Sequence, residues 1–235
     1  MGICSSSSSN KNSKSTPPPS QKSTTDNNNN EHNNNSMAPI ASTLAFGAGC
    51  YWGTEKYIVT DFQKKHPGCI ANAKVGFMNP DPNGMKDPSY RQVCSGATGH
   101  VEVLNVELTK EACQTPELLE EMIQHFFMFH DPTTLNKQGN DAGTQYGSVI
   151  FTTSDEQQQI VERVMKELQQ HIDDKKVKTY SKKKVTTLIT PYTTFYEAQK
   201  EHQEYLEKNP GGYCNHRYRF KTWPKASKKE NDGEL

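Results

Sequence analysis

The chain has 235 residues with 27 basic and 27 acidic side chains, so its formal net charge of zero offers no bulk attraction for nucleic acid or a membrane surface. No apolar run reaches the length of a membrane span, and no hydrophobic h-region marks a secretory signal. The six cysteines (4, 50, 69, 94, 113 and 214) form no CxxC pair, which favours reduced cytosolic thiols over a disulfide framework or a structural zinc site.

Residues 1–36 are almost entirely Ser, Asn, Lys, Thr and Pro, and much of the low mean hydropathy of −0.90 comes from them. Such a segment cannot bury enough apolar surface to offset its ordering entropy, so disorder is expected there. Its first residues, "MGICSS", fit the pattern for myristoylation of Gly2, with Cys4 placed for a second, palmitoyl chain. The competing reading is a chance match to a permissive pattern, and an internal start at Met37 would remove the signal altogether. Residues 37–224 carry enough Val, Ile, Leu and Phe for one core and form a single expected domain. Residues 225–235 read as a solvated tail.

Within the domain, "STLAF" (42–46) reads as a buried strand. Residues 50–65 read as a helix with Tyr57, Ile58 and Phe62 on one face, and 69–77 as a strand. A Pro-, Asn- and Gly-rich loop (78–89) follows, then a cleanly alternating strand over 100–108. Thr115-Pro116 supplies a capping threonine and an N1 proline for a helix through Phe127. "SVIFTT" (148–153) is a strand, and Ser154 with Gln157 forms a capping-box pattern for the next amphipathic helix. A strand at 186–190 and a helix from about Phe195 to Lys208 complete the ordered part. The first six elements run βαββαβ, which predicts an α+β, ferredoxin-like two-layer sandwich with an extra C-terminal helix and a long coil tail. Cys94 is expected to be buried.

"FGAGCYWGTE" (46–55) admits two readings. Its glycines could cradle a nucleotide's phosphates, but the spacing is GxGxxxG, and no acidic residue stands about twenty positions on to hold a ribose. The βαββαβ order also lacks the parallel crossovers that such a domain needs. The other reading makes Cys50 a nucleophile at a strand-to-helix turn, where free N–H groups and the helix dipole favour a thiolate. For a single cysteine, a small buried hydrophobe is the competing reading; the position and the aromatic neighbours Tyr51 and Trp52 favour function.

"GCYWGTE" resembles the signature of the A-type peptide methionine sulfoxide reductases. "SYRQVCSGATGHVEV" (89–103), "HDPTTLNKQGNDAGTQYGSVIF" (130–151) and "ITPYTTFYEAQKEHQEYLEKNP" (189–210) are similar to further blocks of that family, in the same order. The resemblance implies that Cys50 attacks the sulfoxide sulfur, that Glu102 is a protonated general acid, and that Tyr51 and Trp52 wall an apolar pocket for the S-methyl group. It further implies that Tyr90 and Tyr146 donate hydrogen bonds to the sulfoxide oxygen and that Asp141 orients the site. Val101 and Val103 flank Glu102 in the alternating strand, which allows the acid to point into a pocket; on the strand pattern alone, a solvent-facing glutamate is the favoured reading.

On the same resemblance, Cys50 becomes a sulfenic acid, Cys214 resolves it, and thioredoxin or another dithiol reduces the disulfide. Cys113 stays open as an alternative resolver. No bound cofactor is implied, the substrate is free or protein-bound methionine sulfoxide, and a cytosolic monomer is expected, with membrane association if Gly2 and Cys4 are acylated. The family's usual residues are absent at Cys69, Phe77, Met78, Asn79, Gly147 and Gln199, which bears on the entry loops rather than on the reaction. A binding module for oxidised methionine would not need a resolving thiol, and a thiol peroxidase would not need an apolar methyl pocket.

Overall fold

The computed structural model describes residues 40–225. The acylation pattern at Gly2 and Cys4, the expected disorder of residues 1–36 and nearly all of the tail at 225–235 lie outside the described residues. Strand β1 (Thr43–Ala48) is almost entirely buried and leads through Gly49 and Cys50 into helix α1 (Tyr51–Glu55). The helix does not continue in α form. Lys56–Phe62 is a π-helix, yet Tyr57, Ile58 and Phe62 are all buried, as the periodicity requires. The Tyr57 carbonyl accepts from the buried ring of His125, whose Nε2 lies 3.0 Å away.

Strand β2 (Ile70–Met78), helix α2 (Tyr90–Cys94), strand β3 (Val101–Leu108) and helices α3 (Lys110–Cys113) and α4 (Pro116–Phe129) follow. Thr115 does not cap α4. Its hydroxyl donates instead to Glu111 at 3.3 Å, because α3 ends directly before it. After the two-residue strands β4 (Lys137–Gln138) and β5 (Asp141–Ala142) come β6 (Ser148–Thr152) and helix α5 (Asp155–Asp173). Ser154 does cap α5, accepting from the Gln157 N–H at 3.2 Å, while the Gln157 amide donates to Ala41 and Thr43 and ties α5 to the start of β1.

The largest departure lies at the C-terminal end, where no helix spans 195–208. Strands β7 (Leu188–Pro191) and β8 (Phe195–Glu197) are followed by a 3-10 turn over Lys200–His202 and by α6 (Tyr205–Lys208), a single turn. Phe195, Tyr196 and Glu197 pair with Met78, Phe77 and Gly76 of β2, so an open sheet edge takes residues whose β-branched and aromatic context suits a strand. Gln203 then satisfies both backbone groups of Val75 at 2.9 Å each. Tertiary pairing overrides the helical periodicity here.

The central sheet has the order β7-β6-β1-β3-β2-β8, antiparallel throughout except for the β6–β7 pair. One face, including Phe46, Leu104 and Ile150, packs on α4 and α5 through Phe126, Ile160 and Val164. The other carries Ala45, Met78, Val101, Val103, Val149 and Phe151 beneath Tyr192 and Phe195. The architecture is therefore α+β, with a mostly antiparallel sheet.

Candidate active site

Cys50 is the N-cap residue of α1, with φ −55° and ψ 125°, and its carbonyl accepts from the Gly53 N–H at 3.2 Å. The turn is tight for a backbone reason. Gly49 has φ +97°, a region that costs side-chain-bearing residues energy, and a Cβ there would lie 2.5 Å from Gln138 Cβ. Cys50 is only 8% exposed. Burial and the Glu102 carboxylate push its thiol up, with smaller contributions from Asp141 and Cys214; only the Trp52 backbone N–H opposes them. Burial thus opposes the thiolate-favouring effect of the helix start. It strips solvation from the sulfur, and the first turn of the short α1 returns only part of it.

Glu102 lies on β3 between Val101 and Val103, which pack on the opposite sheet face. It is 3% exposed, and its Oε2 accepts from the Tyr51 N–H at 3.1 Å, so strand and helix start are joined through the carboxyl. Burial raises its pKa to about 8, with Asp141 adding to the rise and the Tyr51 and Cys50 hydrogen bonds opposing it. At neutral pH it therefore holds a proton that it can give away.

Rings surround this pair. Tyr51 is buried against Phe77 and His202, with centroids 5.8 Å and 5.7 Å apart. Trp52 stacks on Tyr205 at 3.7 Å and on His202 at 5.8 Å. Tyr90 stacks on His202 at 4.7 Å. Burial, then neighbouring charge that includes Glu102, keeps Tyr51 and Tyr146 protonated well above the usual phenol range; burial and Cys94, then Glu102, do the same for Tyr90. Each phenol is thus a hydrogen-bond donor. Asp141, on β5, accepts from the Tyr213 hydroxyl at 2.8 Å, and its charge reaches Cys50, Glu102 and Tyr146. Tyr51 Oη, Trp52 Nε1, Asp141 Oδ2 and His202 Nδ1 are buried without a protein partner, an unusual concentration of unsatisfied polar atoms for one place.

Cys214 lies half-buried in the chain after α6, packed against the main core, with His216 Nδ1 3.9 Å from its sulfur. Cys113 is buried on α3 and Cys69 is buried beside β2; among the described residues, all five cysteines are unpaired. Cys94, expected to be buried, is exposed on α2, because that short helix turns Val93 inward and leaves its neighbours facing solvent.

Several residues at the site escape a reading of the sequence. Ser89 and Gln92 form a complete capping box that starts α2 and holds Tyr90; the Ser-x-x-Gln spacing was the available signal. Glu55 accepts from the Glu204 N–H at 2.9 Å and pins the segment bearing Tyr205. His202, Tyr205 and His216 arrive from 150 or more residues beyond Trp52 of α1, with no local signal that they meet it. Among the described residues, no group of three or more His, Cys, Asp or Glu is placed to hold a metal, and no helix is long and apolar enough to cross a membrane.

Residues 42–233 match the family model described as peptide methionine sulfoxide reductase. A probable peptide methionine sulfoxide reductase of Schizosaccharomyces pombe is 40% identical over 71% of this chain and 88% of its own length. Peptide methionine sulfoxide reductase A1 of Arabidopsis thaliana is 37% identical over 73% and 74%, respectively. Among solved structures, reduced Mxr1 of Saccharomyces cerevisiae is similar with a TM-score of 0.62 and 34% identity, covering 77% of this chain and 93% of that one. Methionine sulfoxide reductase A of Corynebacterium diphtheriae has a TM-score of 0.57 and 32% identity, covering 76% and 80%.

Proposed function

From the premise that the chain belongs to the peptide methionine sulfoxide reductase family and reduces methionine sulfoxide, we propose that Cys50 is the nucleophile and Glu102 the acid of that reaction. The observation that carries this reading is the convergence of a buried thiol and a buried carboxyl at one helix start, with the carboxyl pKa raised to about 8. The sulfur of Cys50 attacks the sulfoxide sulfur while Glu102 protonates the oxygen. Oxygen then passes to Cys50 as a sulfenic acid, and methionine leaves with a restored thioether. Tyr90 and Tyr146, phenols held protonated, donate to the oxygen as its charge develops. Tyr51 and Trp52 take the methyl group on an aromatic surface backed by Phe77 and Tyr205, and Asp141 orients the donors.

Cys214 then displaces the sulfenic hydroxyl, and an external dithiol of the thioredoxin type reduces the Cys50–Cys214 disulfide. Cys214 is favoured over Cys113 because it lies beside His216, whose ring hydrogen-bonds the Ala48 carbonyl just before Cys50, whereas Cys113 is buried on α3. The ferredoxin-like reading is supported by the order β6-β1-β3-β2 of four antiparallel strands. We place the protein in the cytosol as a monomer whose catalytic domain begins near residue 37, with acylated Gly2 and Cys4 as its route to membranes.

An assay on separated methionine sulfoxide epimers with thioredoxin tests the reading. Turnover of the S epimer alone is expected, in free or peptide-bound form, with none in Cys50→Ser. Undiminished turnover in that variant would sink the assignment, and mass spectrometry after one turnover should show a Cys50–Cys214 link rather than one to Cys113.

A further inference from the structure

His216 is a buried ring that the reduction step leaves unused, and it sits under the turn that carries Cys50. Its Nε2 lies 2.7 Å from the Ala48 carbonyl. A carbonyl only accepts, so Nε2 carries the proton and the tautomer is set. Burial lowers the ring's pKa to about 4; the Ala48 bond and Asp141 pull it up, and Arg219 and Lys56 push it down. At working pH the ring is neutral, and Nδ1 presents a lone pair to Cys214 Sγ at 3.9 Å.

The surroundings hold this geometry on every side. A Cβ on Gly53 would fall 1.9 Å from Nδ1, so this glycine of the "GCYWG" turn makes room for the ring. The chain around it is anchored by Tyr57 Oη to the His216 carbonyl at 3.3 Å, Asn215 Nδ2 to the Gln138 carbonyl at 3.2 Å, and Arg217 N to the Phe129 carbonyl at 3.2 Å.

We propose that His216 Nδ1 is the proton acceptor for the resolving thiol, taking the Cys214 proton as the Cys50–Cys214 bond forms. The inference rests on the reading that Cys214 resolves the sulfenic acid. In that step a new S–S bond forms, and the Cys50 S–O bond breaks with its electron pair on oxygen. The Cys214 proton passes by way of His216 Nδ1 to the departing hydroxide, which leaves as water and returns the ring to neutral. Cys214 sulfur is oxidised and Cys50 sulfur reduced, so no outside oxidant is needed. A thiol bonding to a second sulfur becomes strongly acidic, so a weak base suffices, provided that it stays unprotonated and is aimed at the S–H.

His216→Gln separates the two ring nitrogens, because the glutamine amide can still donate to Ala48 while nothing replaces Nδ1. In one turnover of the full chain we expect methionine release at the wild-type rate, followed by disulfide formation slowed by about 10²-fold or more and a sulfenic acid trapped by a dimedone-type reagent. The rate of disulfide formation in the variant should climb with pH as free thiolate appears, whereas wild type should stay flat between roughly pH 6 and 9. His216→Asn, which restores an oxygen acceptor at the δ position, should recover part of the rate. Wild-type rates and a flat pH profile in His216→Gln would overturn the inference while leaving Cys214 as resolver. A wild-type link to Cys113 would instead overturn the reading beneath it.

Discussion

A thiol and a carboxyl buried side by side cannot both be charged at low cost, so their protons are shared as a pair. Burial holds the Cys50 thiol up and raises the Glu102 carboxyl to about 8. Glu102 is therefore the loaded acid across the neutral range and discharges as the pH passes about 8. The first chemical step, measured as methionine released in a rapid-quench turnover, should fall along an alkaline limb near that value. Glu102→Gln should remove the limb and slow the step by about 10²–10⁴-fold; a variant that kept both rate and limb would reassign the acid. The same shift makes the Glu102 contribution to stability full below the unfolded carboxyl pKa of 4.5 and lost as pH rises through about 8. At this scale strand alternation and a strand-to-helix turn, both local patterns, put Glu102 and Cys50 on their elements, while the acid role of Glu102 came from the family resemblance alone. The sequence was silent on His202 and Tyr205, whose rings reach Trp52 only through the chain's return.

The element that organises the site is the turn from β1 into α1 and the π-helix beyond it. Gly49 and Gly53 are both needed there, but for different neighbours: Gln138 stands beside the first and His216 beside the second. Gly53→Ala would drive a methyl into a ring that is itself anchored at Ala48. The expected cost is about 1–3 kcal/mol of overpacking, read as a fall in Tm of roughly 2–4 °C for each kcal/mol. Gly211→Ala, where nothing lies within 4 Å of the added carbon, should leave Tm unchanged. Equal melting of the two variants would show that the turn and the downstream chain are not packed as described. The glycines were visible in the sequence as a requirement for space, but not what occupied it. The segment at 195–208 shows the opposite failure: its helical periodicity was real but lost to an open β2 edge.

For the whole molecule, the core lies between the sheet and helices α4 and α5, within residues 40–225. We therefore expect a chain lacking residues 1–36 to keep the Tm and turnover of the full chain. A loss of either would assign the Ser- and Asn-rich segment a part in the fold or the site. Acylation is separable from this: fatty-acid labelling should disappear in Gly2→Ala, and equal labelling would remove the anchor.

By itself the sequence determined the α+β class, the strand that carries Glu102, the turn that carries Cys50 and the apolar faces that form one core. Each is written in spacing over a few residues, where side-chain direction follows from backbone period. Only the tertiary structure decided that Trp52 is stacked on Tyr205, that Glu55 holds the chain at Glu204, and that His216 lies beneath Gly53 with Cys214 beside it. Those partners stand about 150 residues apart, and their meeting depends on which sheet edge, glycine gap and buried carbonyl remain open once the rest has packed.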